Sequence, residues 1–488
     1  MSDGQVVTRP RRPHVVVVGG GISGLAAAWS LARMRHDVEI TVLEASAQLG
    51  GKLRVGELEG LAVDEGAEAM LSVRPEGVRL AREAGLGDDL VTPTDATPRL
   101  LIDDELKPLP TGLVMGVPTD LAALAASGVL SQQALARLPL DHVAPGIHLD
   151  DDVSFGVYVA RRLGVEVVDR LVSPLLLGVY ADRAVNVSMR AAAPRLFEAA
   201  KHDRSLLAAA RSVRGPSSGS RSEVFAGIRG GVGRLPGALA DRLRAAGVTV
   251  ETGAGVRRLR RSAHGWDVVV DGGAEARILA ADAVVVAVPA PVAYRLLKGH
   301  SVQAETELSE IETTSVAVVT LVYRAADLPG GDLPEGSGYL VPPSQGRPVK
   351  AATFSSHKWR WVHDAAAGRG LVVARCSLGH AGDTEVLDRD DDDLARLAAD
   401  DLAFVARLGR ARPVAQRVTR WVDGLPRYTV GHVDRAQLIV DAVEALPGIT
   451  VCGATYDGVG IPACIARAEA AATHVSRGLA SDGQWRYG

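Results

Sequence analysis

Aromatic residues make up only 4% of this 488-residue chain, and cysteine is scarcer still at three. Cys376, Cys452 and Cys464 are scattered without a metal-ligand spacing, which argues against a disulfide scaffold and indicates no zinc or iron–sulfur site. Lysine is rare too. It supplies six of the 54 basic residues and leaves 48 arginines, a bias that, with abundant alanine, points to a GC-rich genome more than to a function. Neither sign of charge dominates, and a net charge of -4 gives no reason to expect nucleic acid. Long apolar runs are missing: the nearest, residues 283–297, is too short to span a membrane and is interrupted by Pro289, Pro291 and Arg295. Residues 1–13 carry charge but no apolar core, so a mobile tail is expected there and not a signal peptide or anchor. No transmembrane segment is expected; a cytoplasmic location is, with peripheral membrane contact left open. The motifs contain no Ser/His/Asp set, no carboxylate pair and no internal repeat.

What is present is globular in character. Hydrophobic residues reach 47% and charged residues 23%, and the length predicts two or three domains. Residues 14–18, HVVVV, read as a central parallel strand buried on both faces. The strand runs into Gly19, Gly21 and Gly24, spaced G-x-G-x-x-G: one glycine for the tight turn, one to admit a pyrophosphate, one for close helix–strand packing. A helix from Ile22 points free N–H groups at the phosphates. A second strand, residues 38–43, ends at Glu44, about 20 residues past the glycines, where a carboxylate can bind a ribose hydroxyl. Strand, turn, helix, strand and acid in this order predict a dinucleotide site, which by these residues alone serves NAD or FAD.

Further along, the punctuation changes twice. Residues 76–224 show helical periodicity at 121–129, 131–138 and 153–163, separated by prolines, and read as a helical insertion ending in a flexible loop at 211–222. From Phe225 the glycine-rich pattern returns, with short strands at 248–251, 256–259, 266–270 and 283–288 that complete a nucleotide-binding sheet. Residues 291–421 mix strands (316–323, 371–377) with a helix at 391–408 and read as a substrate domain; a helix opened by Pro462 closes the chain. The fold class is α/β. A discontinuous nucleotide-binding domain (14–75, 225–290, 422–488) joins a mixed α+β substrate domain (291–421) and the insertion, which contributes to the substrate pocket. Gly231 and Gly233, in GGVGRLPG, lack the sixth-position glycine and read as close core packing. With no second nucleotide site, electrons have no NAD(P)H source, and the substrate must supply them.

GGGISGL, LEA, LGGKLR, FAGIRGGVGRLPGAL, AVVVAVP, LPRYTVGH and GATYDGVGIPACI, in order and from end to end, resemble the flavoprotein porphyrinogen oxidases of haem biosynthesis (coproporphyrinogen III oxidase and protoporphyrinogen oxidase type), within the amine-oxidase superfamily. The narrower part of the resemblance is PLLLGVYADRAVNVSMRAAAP, from Pro174, with LPRYTVGH. It implies a Rossmann-like FAD-binding domain of the glutathione-reductase/amine-oxidase type and non-covalent FAD, since Cys452 precedes GATYDG without matching a covalent-tether motif. Gly19, Gly20, Gly21, Ile22, Ser23 and Gly24 would hold the pyrophosphate, Glu44 and Ala45 the adenosine ribose, and Gly51 with Lys52 the phosphates. Gly66, Ala67, Glu68 and Ala69 would lie beside the flavin, Val256 at the adenine, and Trp421 near the isoalloxazine. Val459, Gly460 and Ile461 would aim helix N–H groups at the flavin's N1/C2 edge. The stretch Gly66 to Met70, GAEAM, departs from the family's G-P-[DE]-S-F.

The resemblance also implies loss of six electrons and six protons in three flavin cycles, with hydride passing from the macrocycle to flavin N5. Oxygen or another acceptor closes each cycle; oxygen gives three hydrogen peroxide molecules. The expected substrate is coproporphyrinogen III, whose four propionates need a wide, positively lined pocket. Protoporphyrinogen IX is the alternative, followed by an amine oxidase or desaturase and a non-catalytic flavin-binding protein. Transient contact with a downstream haem-pathway enzyme stays open. Candidate substrate residues are Gly178, which reads equally as a turn; Arg74, which reads also as a surface arginine; and Ser377. Asp64, Glu65 and Glu68 form an acidic cluster that reads either as site or as solvated charge. His14 and His432 read as structural, Tyr180 and Tyr428 as core.

Overall fold

The computed structural model describes residues 12–147, 149–214, 224–271 and 276–480. Strand β1 (His14–Val18) lies in a parallel sheet of five, in the order Thr249–Glu251, β2 (Glu39–Leu43), β1, Ala283–Val286, Ile449–Val451. Its unbroken run of valines has a structural cause. Val15 and Val17 face one hydrophobic cluster while Val16 and Val18 face another, so neither side of the strand meets water. Helix α1 (Ile22–Met34) covers the first face, and its Ala26, Ala27 and Ala28 are buried where it packs against the helix Ile461–Ala480. An antiparallel trio, Val256–Ser262, Gly265–Val270 and Arg277–Ala281, covers the opposite face around the buried Trp266.

A second sheet has seven strands, in the order Ala415–Pro426, Thr313–Arg324, Leu371–Leu378, Val349–Thr353, Gly338–Leu340, Arg99–Ile102, Glu105–Pro108. It is antiparallel except where Gly338–Leu340 meets Arg99–Ile102. The helix Asp391–Val405 packs on one face, capped by Asp390, whose carboxylate accepts from the Asp393 N–H. Two of these strands fall where a helical insertion is expected, and residues 422–426 complete the long strand of this sheet instead of returning to the nucleotide domain. Among the described residues the remainder of the 76–224 stretch is largely helical, with Asp120, Ser131 and Ser154 as side-chain N-caps at or beside the predicted starts. Its core is pinned by the buried Asp141, which accepts from Arg162, the Ser205 hydroxyl and the Leu207 N–H.

Of the predicted tail, residues 1–11 lie outside the described residues, whereas the Pro13 carbonyl already accepts from the Glu39 N–H. Of the predicted loop, residues 211–214 finish the helix Leu206–Arg214, and 215–222 lie outside the described residues. The apolar run 283–297 divides into the strand Ala283–Val286 and the helix Ala290–Leu297. Among the described residues no helix is long and apolar enough to cross a membrane, and no group of His, Cys, Asp and Glu could hold a metal ion.

Candidate functional site

One cavity of about 1010 Å³ runs from the glycine turn at the end of β1 to the gap between the helix Ser173–Tyr180 and the seven-stranded sheet. At the first end the wall is backbone. Gly19 has φ of 112°, open to glycine alone without strain, and a Cβ added at Gly24 would collide with the Gly19 carbonyl oxygen. A Cβ at Gly21 meets nothing within 4 Å and would project into the space a pyrophosphate needs. Glu44 lies at the tip of β2, accepting from the Gly20 and Ser46 N–H groups at 2.8 Å each, which fixes its carboxylate at the cavity edge.

The turn after β2 is tied to the fingerprint: the Gly50 N–H donates to the Gly20 carbonyl at 2.8 Å. Gly51 and Lys52 line the cavity there, and burial lowers the proton affinity of the Lys52 ammonium. Gly66 packs on the Lys52 carbonyl so tightly that a side chain would not fit. Trp421 closes this middle section, its indole N–H donating to the Glu65 carbonyl at 3.2 Å and the Arg54 guanidinium 5.3 Å from its ring. Val459 and Ile461 line the cavity where the helix Ile461–Ala480 begins.

Gly19, Gly21, Ile22, Ser23, Glu44, Ala45, Gly51, Lys52, Gly66, Ala67, Glu68, Val256, Trp421, Val459, Ile461, Gly178 and Ser377 therefore share one cavity. Five candidates stand outside the wall: Gly20 and Gly24 brace the turn from behind, Ala69 packs into a neighbouring cluster, and Gly460 is exposed. Arg74, the fifth, requires a correction. It pairs with Glu76 at 2.7 Å and is 42% exposed, because the chain turns outward at Pro75 into the helix Pro75–Glu83.

Nor is the acidic cluster solvated. Asp64 accepts from the Val232 and Gly233 N–H groups at 3.0 and 2.9 Å, and burial pushes its carboxyl up to about 6. That contact explains GGVG as packing: a Cβ at Gly231 would crowd the Asp64 carboxylate, and one at Gly233 would strike the backbone of Arg54 and Val55. Glu65 pairs with Arg417 at 2.6 Å. Glu68 is held between Lys358 and Arg375; burial works against its charge, but the two cations prevail and bring its carboxyl down to about 2.

The two narrower motifs meet each other. Arg427 of LPRYTVGH donates to the buried Asp182 of YADRAVN at 2.8 Å, and Asp182 also accepts from Asn186 and the Arg183 N–H. The Tyr428 hydroxyl and a His432 ring nitrogen bond the Ala454 and Thr455 carbonyls, on the loop that lines the cavity before Val459. The two rings stack at 3.9 Å, and burial pushes the His432 imidazole down to about 4. Both histidines are structural as expected, His14 bonding the Ala280 carbonyl and Thr41.

Lys350 and Arg375 belong to the wall and escape sequence reading. Each is the one cation in a buried strand, VKAAT and LVVARCSL, and that is the signal available. Arg375 donates to Glu68 at 2.7 Å and to the Gly66 carbonyl at 2.6 Å, while its Nε has no partner.

Residues 22–476 match the family described as flavin containing amine oxidoreductase. A coproporphyrinogen III oxidase of Mycobacterium bovis (strain ATCC BAA-935 / AF2122/97) is 37% identical over 468 residues, covering 95% of this chain and 97% of its own length. One of Bacillus subtilis (strain 168) is 31% identical over 484 residues, covering 96% and 98%. A crystal structure from Exiguobacterium sp. 255-15, provisionally named protoporphyrinogen oxidase, superposes with a TM-score of 0.83 at 29% identity, covering 96% of this chain and 99% of that one.

Proposed function

This chain belongs to the flavin containing amine oxidoreductase family, and from that premise we propose that it is an oxygen-dependent, FAD-containing oxidase that converts coproporphyrinogen III to coproporphyrin III. The observation that carries the reading is the single cavity joining the glycine fingerprint to a wide second lobe. Its first part suits a dinucleotide: a turn open at Gly21, the Glu44 carboxylate, the Lys52 ammonium and the start of a long helix lie along one path. Gly19, Gly21, Ile22 and Ser23 hold the pyrophosphate with Gly51 and Lys52, Glu44 and Ala45 the ribose, and Val256 the adenine, while Gly20 and Gly24 shape the turn from behind. Gly66, Ala67, Glu68, Trp421, Val459 and Ile461 surround the flavin ring.

FAD, when bound, supplies two-electron acceptor chemistry, so removing six electrons takes three rounds and converts three oxygen molecules to three of hydrogen peroxide. The protein's part is positional. Gly178 and Ser377, on opposite walls of the second lobe, admit and bracket the macrocycle, which is puckered as the porphyrinogen and flattens only as it is oxidised. Arg375 locks the residue 66–68 loop to the substrate sheet, so that the wall beside the ring stays fixed during turnover. Attachment is non-covalent. Burial pushes the Cys452 thiol up to about 12 and raises that of Cys464, so neither presents a thiolate.

Anaerobic mixing of the yellow holoprotein with coproporphyrinogen III and with protoporphyrinogen IX tests the reading. The flavin should bleach faster with the first. Faster bleaching with protoporphyrinogen IX reverses the choice of substrate, equal rates mean that the pocket does not discriminate between the two, and no bleaching with either overturns the oxidase reading. Acid denaturation should release intact FAD.

A further inference from the structure

Lys350 lies where the seven-stranded sheet breaks its register. Val349 pairs with Leu378 and Ala351 with Ser377, so one residue is left over between them, and such a bulge re-aims its side chain. The residue is 6% exposed and yet lines the cavity, on the wall shared with Ser377. Its ammonium donates to the Gly379 carbonyl. An ammonium has three donors, and among the described residues no carboxylate pairs with this one.

The neighbouring charges are already committed. Arg375 is held by Glu68, and Asp401, on the helix behind the sheet, is held by Arg347. The strand Gly338–Leu340 contributes Tyr339, and the helix Ser173–Tyr180 across the lobe carries no charge beyond the un-ionised Tyr180. Burial is what brings the Lys350 ammonium down to about 7. A half-satisfied buried cation in a cavity wall costs stability unless an anion comes to it.

We propose that Lys350 is the receptor for one carboxylate of the substrate, gripping a propionate of the macrocycle from the sheet side of the second lobe. The assignment rests on the porphyrinogen reading. It couples binding to protonation: a carboxylate beside the amine favours its charged form, so at mildly alkaline pH binding draws a proton from solution.

The test uses flavin-loaded protein and oxidised coproporphyrin III as the probe, titrated at pH 8 by fluorescence and by calorimetry in buffers of different ionisation enthalpy. Wild type should take up a fraction of a proton per porphyrin bound, and coproporphyrin tetramethyl ester should bind without uptake. Lys350→Met should weaken coproporphyrin binding roughly tenfold or more, the loss of one charge-assisted contact, and abolish the uptake. Lys350→Arg should recover affinity but take up no proton, because guanidinium is charged at any accessible pH. Equal affinity and equal proton uptake in wild type and Lys350→Met overturn the assignment alone. Wild-type protein that binds no porphyrin overturns both the assignment and the reading beneath it. Should Lys350→Met misfold, Lys350→Arg decides: proton uptake that persists in it overturns the assignment.

Discussion

At the nucleotide end of the cavity the decisive residues lack side chains. Gly19, Gly21 and Gly24 shape a turn in which each position allows, or forbids, one particular added carbon. At the substrate end the decisive residues are charges: Lys350 and Arg375, on strands of a sheet that the nucleotide domain does not share, and Glu68, on the loop that Arg375 ties to that sheet. One end recognises by backbone shape, which tolerates almost no substitution. The other recognises by charges whose energies depend on distant partners. That difference predicts how each end should fail.

The largest effect should come at the turn. Gly24→Val drives a side chain into the Gly19 carbonyl and should cost more than about 4 kcal/mol, leaving little folded protein by circular dichroism. Gly21→Val meets open space instead and should fold with a melting temperature close to that of the apoprotein, yet carry no flavin absorbance. If Gly21→Val keeps its full complement of flavin, the assignment of the phosphate turn fails.

Next should come the ion cluster. Glu68→Gln strands Lys358 and Arg375 without their carboxylate and should cost about 3–5 kcal/mol in chemical denaturation, because breaking a buried pair leaves uncompensated charge. Because Glu68 also anchors the loop beside the flavin, flavin affinity should weaken in step with stability; unchanged flavin affinity would mean that the loop is held without this pair.

A smaller effect should appear with pH. His432 is neutral when folded, with its imidazole near 4 against 6.5 in the unfolded chain, so the unfolded state binds the extra proton between those values. Stability from this group is complete above pH 6.5 and is lost as pH falls towards 4. Asp64 runs the other way: near 6 when folded against 3.8 unfolded, it favours the native state as pH falls through the same window. Melting temperatures of His432→Gln should therefore fall less steeply between pH 6.5 and 4 than those of wild type. The smallest effect should be Arg74→Ala. An exposed pair contributes about 0.5 kcal/mol or less, so KM for the porphyrinogen should not move. A large rise in KM would return Arg74 to the substrate lobe.

The legibility of the molecule follows the same division. The glycine spacing, Glu44 and the valine strand could be read directly, since each needs only its chain neighbours to make sense. The strands Arg99–Ile102 and Glu105–Pro108 were hidden within a stretch of helical periodicity because they are short and gain stability by joining a sheet whose other members lie far along the chain. Asp64 and Glu65 read as site or as solvated charge alike because their partners, the GGVG turn and Arg417, are remote in sequence. The signature motifs YADRAVN and LPRYTVGH were recognisable as words, but their contact through Asp182 and Arg427 was not.

By itself, then, the sequence determined the dinucleotide unit, because a strand, a glycine turn and a helix N-terminus are specified by contiguous residues and backbone sterics, while the choice of flavin over nicotinamide came from its resemblance to a family along the whole chain. Tertiary structure alone decided which charges line the second lobe. A register shift at Lys350, the seating of Arg375 against Glu68 and the outward turn at Pro75 that removes Arg74 all depend on what packs alongside, and burial then sets which of those charges is left unpaired for a substrate to meet.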